Sequence, residues 1–208
     1  MIVGITGGIG SGKSTILQEL AKQGYAVYDC DKEAKRIIAE EKDIQEAITA
    51  LLGQEAFIQG PRDKGPRTIY NTAYVAQRVF AEPELLKQLN GIVHPAVKRD
   101  IMKRSAFSRQ PSDHLFIESA ILYEAGFDSL CDKIVVIDAP EDVRIERVIG
   151  RDYHGDASAE HINKVRARIR NQQSAFRPQP SAISNQLYIC NDGKTSIRDL
   201  VSIITHRM

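Results

Sequence analysis

The sequence predicts an α/β fold, a parallel five-stranded sheet flanked by helices, on three observations. Short β-rich runs alternate with longer helical patterns along the chain. Residues Gly7-Gly8-Ile9-Gly10-Ser11-Gly12-Lys13-Ser14 fit the phosphate-binding pattern G-x-x-x-x-G-K-[ST], directly behind an apolar run and ahead of a helical one. The length of 208 residues, with 42% hydrophobic and 26% charged side chains, suits one sizeable core in one domain spanning 1–208.

The elements follow in order. Ile2 to Thr6 is the first strand, and Lys13 to Gln23 the first helix, with Ile16, Leu17, Leu20 and Ala21 on one face. Tyr25 to Asp29 is the second strand. The rhythm then breaks. Lys32 to Ser108 holds no convincing strand, so a helical insertion is expected over 32–108, interrupted by Gly60-Pro61-Arg62-Asp63-Lys64-Gly65-Pro66. Asn71 is placed to cap one of its helices and Pro83 to open another. Strands resume at His114 to Glu118, Lys133 to Asp138 and Gln186 to Cys190. Between the last two, a helix opened by Pro140 leads into an irregular stretch, Asp152 to Ala159, and then an Arg-rich helix from about Glu160 to Ala175. This segment, 147–176, reads as a lid. Thr195 to His206 closes the chain as an amphipathic helix.

Charge and cysteine usage exclude whole classes of function. With 28 Lys+Arg against 27 Asp+Glu, no global field draws the chain to nucleic acid or anionic lipid. Cys30, Cys131 and Cys190 are far apart and odd in number, which argues against a disulfide framework and a structural zinc site. No apolar run approaches the roughly 18 residues of a membrane span, and no basic flank marks a signal peptide. A reducing, cytoplasmic setting is expected, for a monomer or small homo-oligomer.

The chemistry starts at the loop. Glycines let the backbone curl so that the loop N–H groups, with Gly8, Gly10, Ser11, Gly12, Lys13, Ser14 and Thr15 as the binding residues, meet the phosphates of a nucleoside triphosphate; Lys13 adds a cation, and the Ser14 hydroxyl is a ligand for Mg²⁺. Asp29-Cys30-Asp31 follows the second strand, where a doubly wound sheet presents its ligand crevice. Alternation along an extended segment lets Asp29 and Asp31 point the same way, with Cys30 packed on the other side. A hydroxyl-phosphorylating enzyme needs such a carboxylate to accept the alcohol proton, although Asp31 equally suits the cap of a helix starting near Lys32. Glu118, at the tip of the third strand, occupies the position that holds a Mg²⁺ water shell, or is a solvated strand end. Asp138, before Ala139-Pro140, reads as a helix-starting residue and stays outside the site. Arg144, Arg147 and Arg151 share one helix face at i, i+3 and i+7, and Arg166, Arg168 and Arg170 lie beyond the irregular stretch. Most of these arginines read as surface charges, whereas Arg151, beside the lid hinge, is the candidate for stabilising charge on a transferring phosphoryl group.

With those residues laid out, the chain resembles the dephospho-coenzyme A kinases. The resemblance rests on Gly4 to Ser14, on Asp29-Cys30-Asp31, on Leu89-Asn90-Gly91-Ile92-Val93-His94-Pro95 and on Ile121-Leu122-Tyr123-Glu124-Ala125-Gly126. It continues through Arg147, Arg151-Asp152, Arg168 to Gln172 and Asn191-Asp192-Gly193, so it spans nearly the whole chain in order. The resemblance implies a P-loop kinase-type fold, ATP and Mg²⁺ as cofactors, and dephospho-CoA as the small-molecule substrate phosphorylated on its ribose 3′-hydroxyl. It implies Asp31 as catalytic base with Lys13 and Arg151 in catalysis, and Ser14 and Glu118 toward the metal. It further implies Arg147 and Asn191 on ATP, Asn191 at the purine side, and Asp29, Asp31, His94 and Leu122 toward the acceptor. By itself, His94 before a proline would read as a packing or capping residue. One departure stands out: Glu118-Ser119-Ala120 occupies a segment where many relatives carry Asp, a small residue and Pro.

Two other readings compete. A GTP-type switch would use Asp152-Tyr153-His154-Gly155 as D-x-x-G, yet that match follows a helix and no guanine-specifying Asn-Lys-x-Asp is present. A nucleoside monophosphate or shikimate-type kinase would share the loop and lid and differ in the insertion and acid spacing.

Overall fold

The computed structural model describes residues 1–60, 68–107, 114–154, 157–175 and 186–208. In chain order the elements are β1 (Ile2–Gly7), α1 (Lys13–Lys22), β2 (Ala26–Asp29), α2 (Cys30–Glu40), α3 (Lys42–Leu52), β3 (Phe57–Gln59), β4 (Thr68–Tyr70), α4 (Thr72–Ala81), α5 (Pro83–Phe107), β5 (Leu115–Glu118), β6 (Lys133–Asp138), α6 (Glu141–Tyr153), α7 (Ala159–Ala175), β7 (Gln186–Cys190) and α8 (Ile197–His206). The five-stranded parallel sheet has the order β2-β5-β1-β6-β7. β1 is therefore central, with Ile2 opposite Leu115 on one side and Val3 opposite Lys133 on the other, and every residue of it is buried. Strands buried on both faces read as continuous apolar runs, which is why Ile2 to Ile5, Leu115 to Ile117 and Ile134 to Ile137 were legible.

The chain divides into two compact units, residues 1–28 with 107–208, and residues 29–106. In the first, Val3, Ile5, Phe116, Val135, Ile137 and Ile189 of the sheet pack with Ile16, Leu17 and Leu20 of α1 and Leu200, Val201 and Ile204 of α8. The helical spacing of those side chains puts them on single faces, and each fully buried one contributes about 1.5–3 kcal/mol. The Ser196 hydroxyl accepts from the Asp199 amide, so α8 begins at Ile197. A second cluster joins α6 to α7 through Ile145, Val148, Val165 and Ile169, with Ile9 of the loop packed against it. Glu141 strengthens that pairing, its carboxylate accepting from Arg170 at 2.9 Å and lying 3.5 Å from Arg166.

The second unit holds α2 to α5 and departs from the sequence expectation in one respect. It contains a small antiparallel hairpin, β3 with β4, in which Phe57 faces Tyr70 and Ile58 faces Ile69. Three residues per strand are too few for an alternation to show in the sequence. Asn71 does cap α4, its side chain accepting from the Tyr74 amide, and Pro83 does open α5. Arg36 of α2 bonds Glu33, Glu40 and Asp100, and Arg104 reaches Glu33, so a charged network ties α2 to α5. Leu89, Val93, Ala96, Val97 and Ile101 form the buried face of α5.

Other boundaries shift slightly. Pro140 caps α6 rather than opening it, its ψ of 144° lying outside the helical range. The helix after β2 starts at Cys30, two residues earlier than expected. The Gly60 to Pro66 stretch beyond Gly60, Gly155 of the D-x-x-G match, and Gly155, Asp156 and Arg-rich-helix-flanking residue 176 of the lid lie outside the described residues.

Candidate active site

The loop after β1 is built around left-handed glycines. Gly10 and Gly12 adopt φ of 78° and 95°, left-handed backbone that side chains resist, and a Cβ on Gly12 would collide with the Asn191 amide. Gly12 caps α1, so the helix N-terminus opens at the loop. Inside the turn, the Gly8 carbonyl accepts from the Ser11 amide and from the Lys13 ammonium, both at 3.2 Å. Lys13 is buried and also lies 3.9 Å from Glu118, itself buried at the end of β5. Ser14 and Thr15, on the first turn of α1, are exposed. The oxygen donors near the loop, Ser14 and Glu118, are of the hard type that Mg²⁺ takes alongside phosphate and water. Among the described residues no cluster of three or more His, Cys, Asp or Glu is placed to hold a metal ion.

The arginine face predicted on α6 exists, but it does different work from a lid stripe. Arg144 is 1% exposed, and its Nε donates to the Ile9 carbonyl at 2.8 Å. Arg147 donates to the carbonyls of Gly10 and Ser11 at 3.3 Å each. Both guanidiniums thus hold the back of the phosphate loop. Arg151, one turn on, is exposed and pairs with its neighbour Asp152. Arg166 and Arg170 are engaged by Glu141, while Arg168 is exposed.

Asn191 is 1% exposed, and both ends of its amide are engaged: Nδ2 donates to the Ser11 carbonyl at 2.9 Å and Oδ1 accepts from Arg147 at 3.0 Å. It ties the end of β7 to the loop, and its side-chain amide is occupied by that tie. A cleft of about 750 Å³ opens beside this tie, lined by Val143, Arg147, Gly150, Asp192, Gly193 and Lys194. Leu122 also departs from expectation. It is wholly buried with its methyl groups against Gly4, so its side chain belongs to the core and offers nothing to an acceptor.

In the second unit, Asp29 is the residue that caps α2, its carboxylate accepting from the Lys32 amide at 3.0 Å. The strand-like alternation of Asp29 and Asp31 therefore does not occur, because the helix has already begun at Cys30; Cys30 is buried as expected. Asp31 sits exposed in the first turn of α2, relieved of the capping role. His94 is half-buried within α5, and burial together with Lys98 lowers its imidazole below the usual value, so the ring is neutral near pH 7. The Asp138 carboxylate accepts from the Ala139 amide and faces Arg144 at 3.7 Å.

Gln172 of α7 was given no role by sequence reasoning, yet its Oε1 accepts from the Ile9 amide at 2.6 Å. Only its place within the Arg168 to Gln172 motif marked it out.

The family model for dephospho-CoA kinase matches residues 1–194. The chain belongs to the dephospho-CoA kinase family. The dephospho-CoA kinase of Porphyromonas gingivalis is 41% identical over 150 residues, covering 72% of this chain and 69% of the relative. That of Bacteroides fragilis is 36% identical over 193 residues, covering 92% and 85%. Among solved structures, TT1252 from Thermus thermophilus superposes with a TM-score of 0.69 at 30% identity, over 99% of this chain and 97% of that one. The dephospho-CoA kinase from Campylobacter jejuni shares the fold at a TM-score of 0.65 and 20% identity, covering 99% and 95%. Dephospho-CoA kinases are nucleotide-dependent kinases that catalyse the final step of CoA biosynthesis. Family membership sets aside the switch and the nucleoside monophosphate or shikimate-type kinase readings.

Proposed function

We propose that this chain transfers the γ-phosphoryl group of Mg-ATP to the ribose 3′-hydroxyl of dephospho-CoA, giving CoA and ADP. The observation that carries the reading is the glycine cradle at the end of β1, with Lys13 in it and Arg144, Arg147 and Asn191 holding its carbonyls from behind. Carbonyls drawn backward leave amides facing an anion, and the N-terminus of α1 adds its dipole.

The chain's own residues then divide the work. The amides of Gly8, Gly10, Gly12, Lys13, Ser14 and Thr15 and the Lys13 ammonium bind and orient the β- and γ-phosphates. Ser14 and Glu118 would hold Mg²⁺, which when bound neutralises charge on the phosphate oxygens. The cleft beside Arg147 and Gly193 takes the purine end of ATP, so Arg147 touches nucleotide while Asn191 keeps Arg147 in place. Asp31 accepts the proton of the 3′-hydroxyl as its oxygen attacks the γ-phosphorus and the bond to the β,γ-bridging oxygen breaks. Its exposed position in the first turn of α2, with Asp29 doing the capping, leaves its carboxylate available for that step. Arg151 exchanges Asp152 for the γ-phosphate once nucleotide is bound, stabilising charge on the equatorial oxygens. The unit containing His94 presents the acceptor, with His94 donating or accepting as a neutral ring.

Three cysteines without disulfides and an ATP-dependent reaction suit the cytoplasm, and no helix among the described residues is long and apolar enough to cross a membrane. Mass spectrometry of the product from dephospho-CoA, Mg²⁺ and ATP tests the proposal. A single phosphoryl group added at the 3′ position supports it, and unaltered dephospho-CoA with excess Mg-ATP refutes it.

A further inference from the structure

The peptide groups on either side of Ile9 are gripped from two helices at once. The Ile9 N–H donates to Gln172 Oε1 of α7 at 2.6 Å, and the Ile9 carbonyl accepts from Arg144 Nε of α6 at 2.8 Å. The Ile9 side chain packs against Ile145, Val148, Val165 and Ile169, the cluster that joins those helices. A loop residue whose N–H, C=O and side chain are all held by the same helix pair is fixed in three directions.

Peptide planarity turns that grip into an orientation for its neighbours. In the Gly8–Ile9 peptide the N–H points to Gln172, so the carbonyl of Gly8 must point the opposite way, where it accepts from Lys13 Nζ and the Ser11 amide. In the next peptide, the Ile9 carbonyl held by Arg144 sends the Gly10 N–H to the opposite side. Arg147 and Asn191 repeat the device at the carbonyls of Gly10 and Ser11, aiming the Gly12 amide. Gln172 differs from the rest. It is the member that comes from α7, and the one that acts on an amide instead of a carbonyl.

We propose that Gln172 is a positioning residue for phosphate binding, fixing the Gly8–Ile9 peptide so that the Gly8 carbonyl docks Lys13 and the following amides face the β- and γ-phosphates. The inference rests on the loop binding a nucleotide, as in the proposed function. It makes the Arg-rich helix part of the phosphate site without touching a phosphate. Removing the acceptor frees this peptide to rotate, and the affinity lost is that of the β-phosphate contacts, not of the nucleoside.

The test uses the full chain with Gln172→Met, which keeps length and removes the acceptor, and Gln172→Glu, which keeps an acceptor oxygen in place. Titration calorimetry with AMP and ADP is paired with steady-state kinetics in ATP and dephospho-CoA. For Gln172→Met, ADP affinity and the KM for ATP should each worsen about tenfold, the scale of one lost hydrogen bond. AMP affinity and the KM for dephospho-CoA should hold, and Gln172→Glu should recover most of the loss. Equal loss of AMP and ADP affinity, or a lower melting temperature with ADP binding intact, overturns the inference. So does a Gln172→Glu as impaired as Gln172→Met. Should the wild-type chain bind ADP and leave dephospho-CoA unaltered, the kinase reading falls while the AMP-against-ADP comparison still decides the role of Gln172.

Discussion

Asn191→Ala separates a structural tie from a purine contact. The side chain is 1% exposed and makes two hydrogen bonds, to the Ser11 carbonyl and from Arg147. Truncating it leaves both partners short of a bond, at about 1–3 kcal/mol for each buried group left unsatisfied. The Ser11 carbonyl keeps an arginine N–H at 3.3 Å and Arg147 keeps two carbonyls, so each loss falls toward the lower end. The sum is roughly 2–4 kcal/mol, and a chain of this size loses about 2–4 °C of melting temperature per kcal/mol. Thermal melting should therefore drop by roughly 4–16 °C. Steady-state kinetics with ATP and GTP complete the assay: the KM for ATP should rise several-fold with the preference for ATP over GTP unchanged. A melting temperature equal to wild type, together with a collapsed nucleobase preference, would show that Asn191 reads the purine and that the tie is incidental.

Three further outcomes are expected. Asp31→Asn should lower kcat by about 10²–10⁴ while calorimetry finds ATP affinity unchanged, and a near-normal rate would remove Asp31 from the role of base. Glu141 is held below its ordinary value near 4.5, chiefly by hydrogen bonding from Arg170, so the unfolded chain binds more protons there than the folded one. Its contribution is complete above that ordinary value and fades as pH falls through the lowered one, so Glu141→Gln should flatten the acid limb of melting temperature against pH. Alkylation at pH 8 should label exposed Cys190 first. Cys131, whose thiol burial pushes up to about 12, should stay unlabelled until unfolding, as peptide mass mapping would report.

Legibility in the sequence followed the range of the interactions. The five strands were readable because each is an apolar run bounded by turns, and Lys133–Asp138 and Gln186–Cys190 match to the residue. Asn71 and Pro83 were readable because capping is local chemistry. The phosphate loop was readable because its spacing is set by the loop's own geometry. Arg144, Arg147 and Asn191 are legible as residues but not in their contacts. Spacing shows that two arginines share a helix face, and it does not show that this face meets carbonyls 135 and 137 positions earlier. The burial of Leu122 escapes for a related reason, since a motif marks a segment and not which of its side chains turns inward. The hairpin of β3 and β4 escaped because three residues cannot display a period.

The place of β1 at the middle of the sheet has a consequence for how the chain is made. Its partners begin at Leu115 and Lys133, so the central strand leaves the ribosome long before anything it pairs with. Contacts so distant in sequence slow folding and prolong the exposure of a sticky edge. Newly synthesised chain should depend on chaperones until β6 emerges, and a nascent product stopped before Lys133 should aggregate instead of folding.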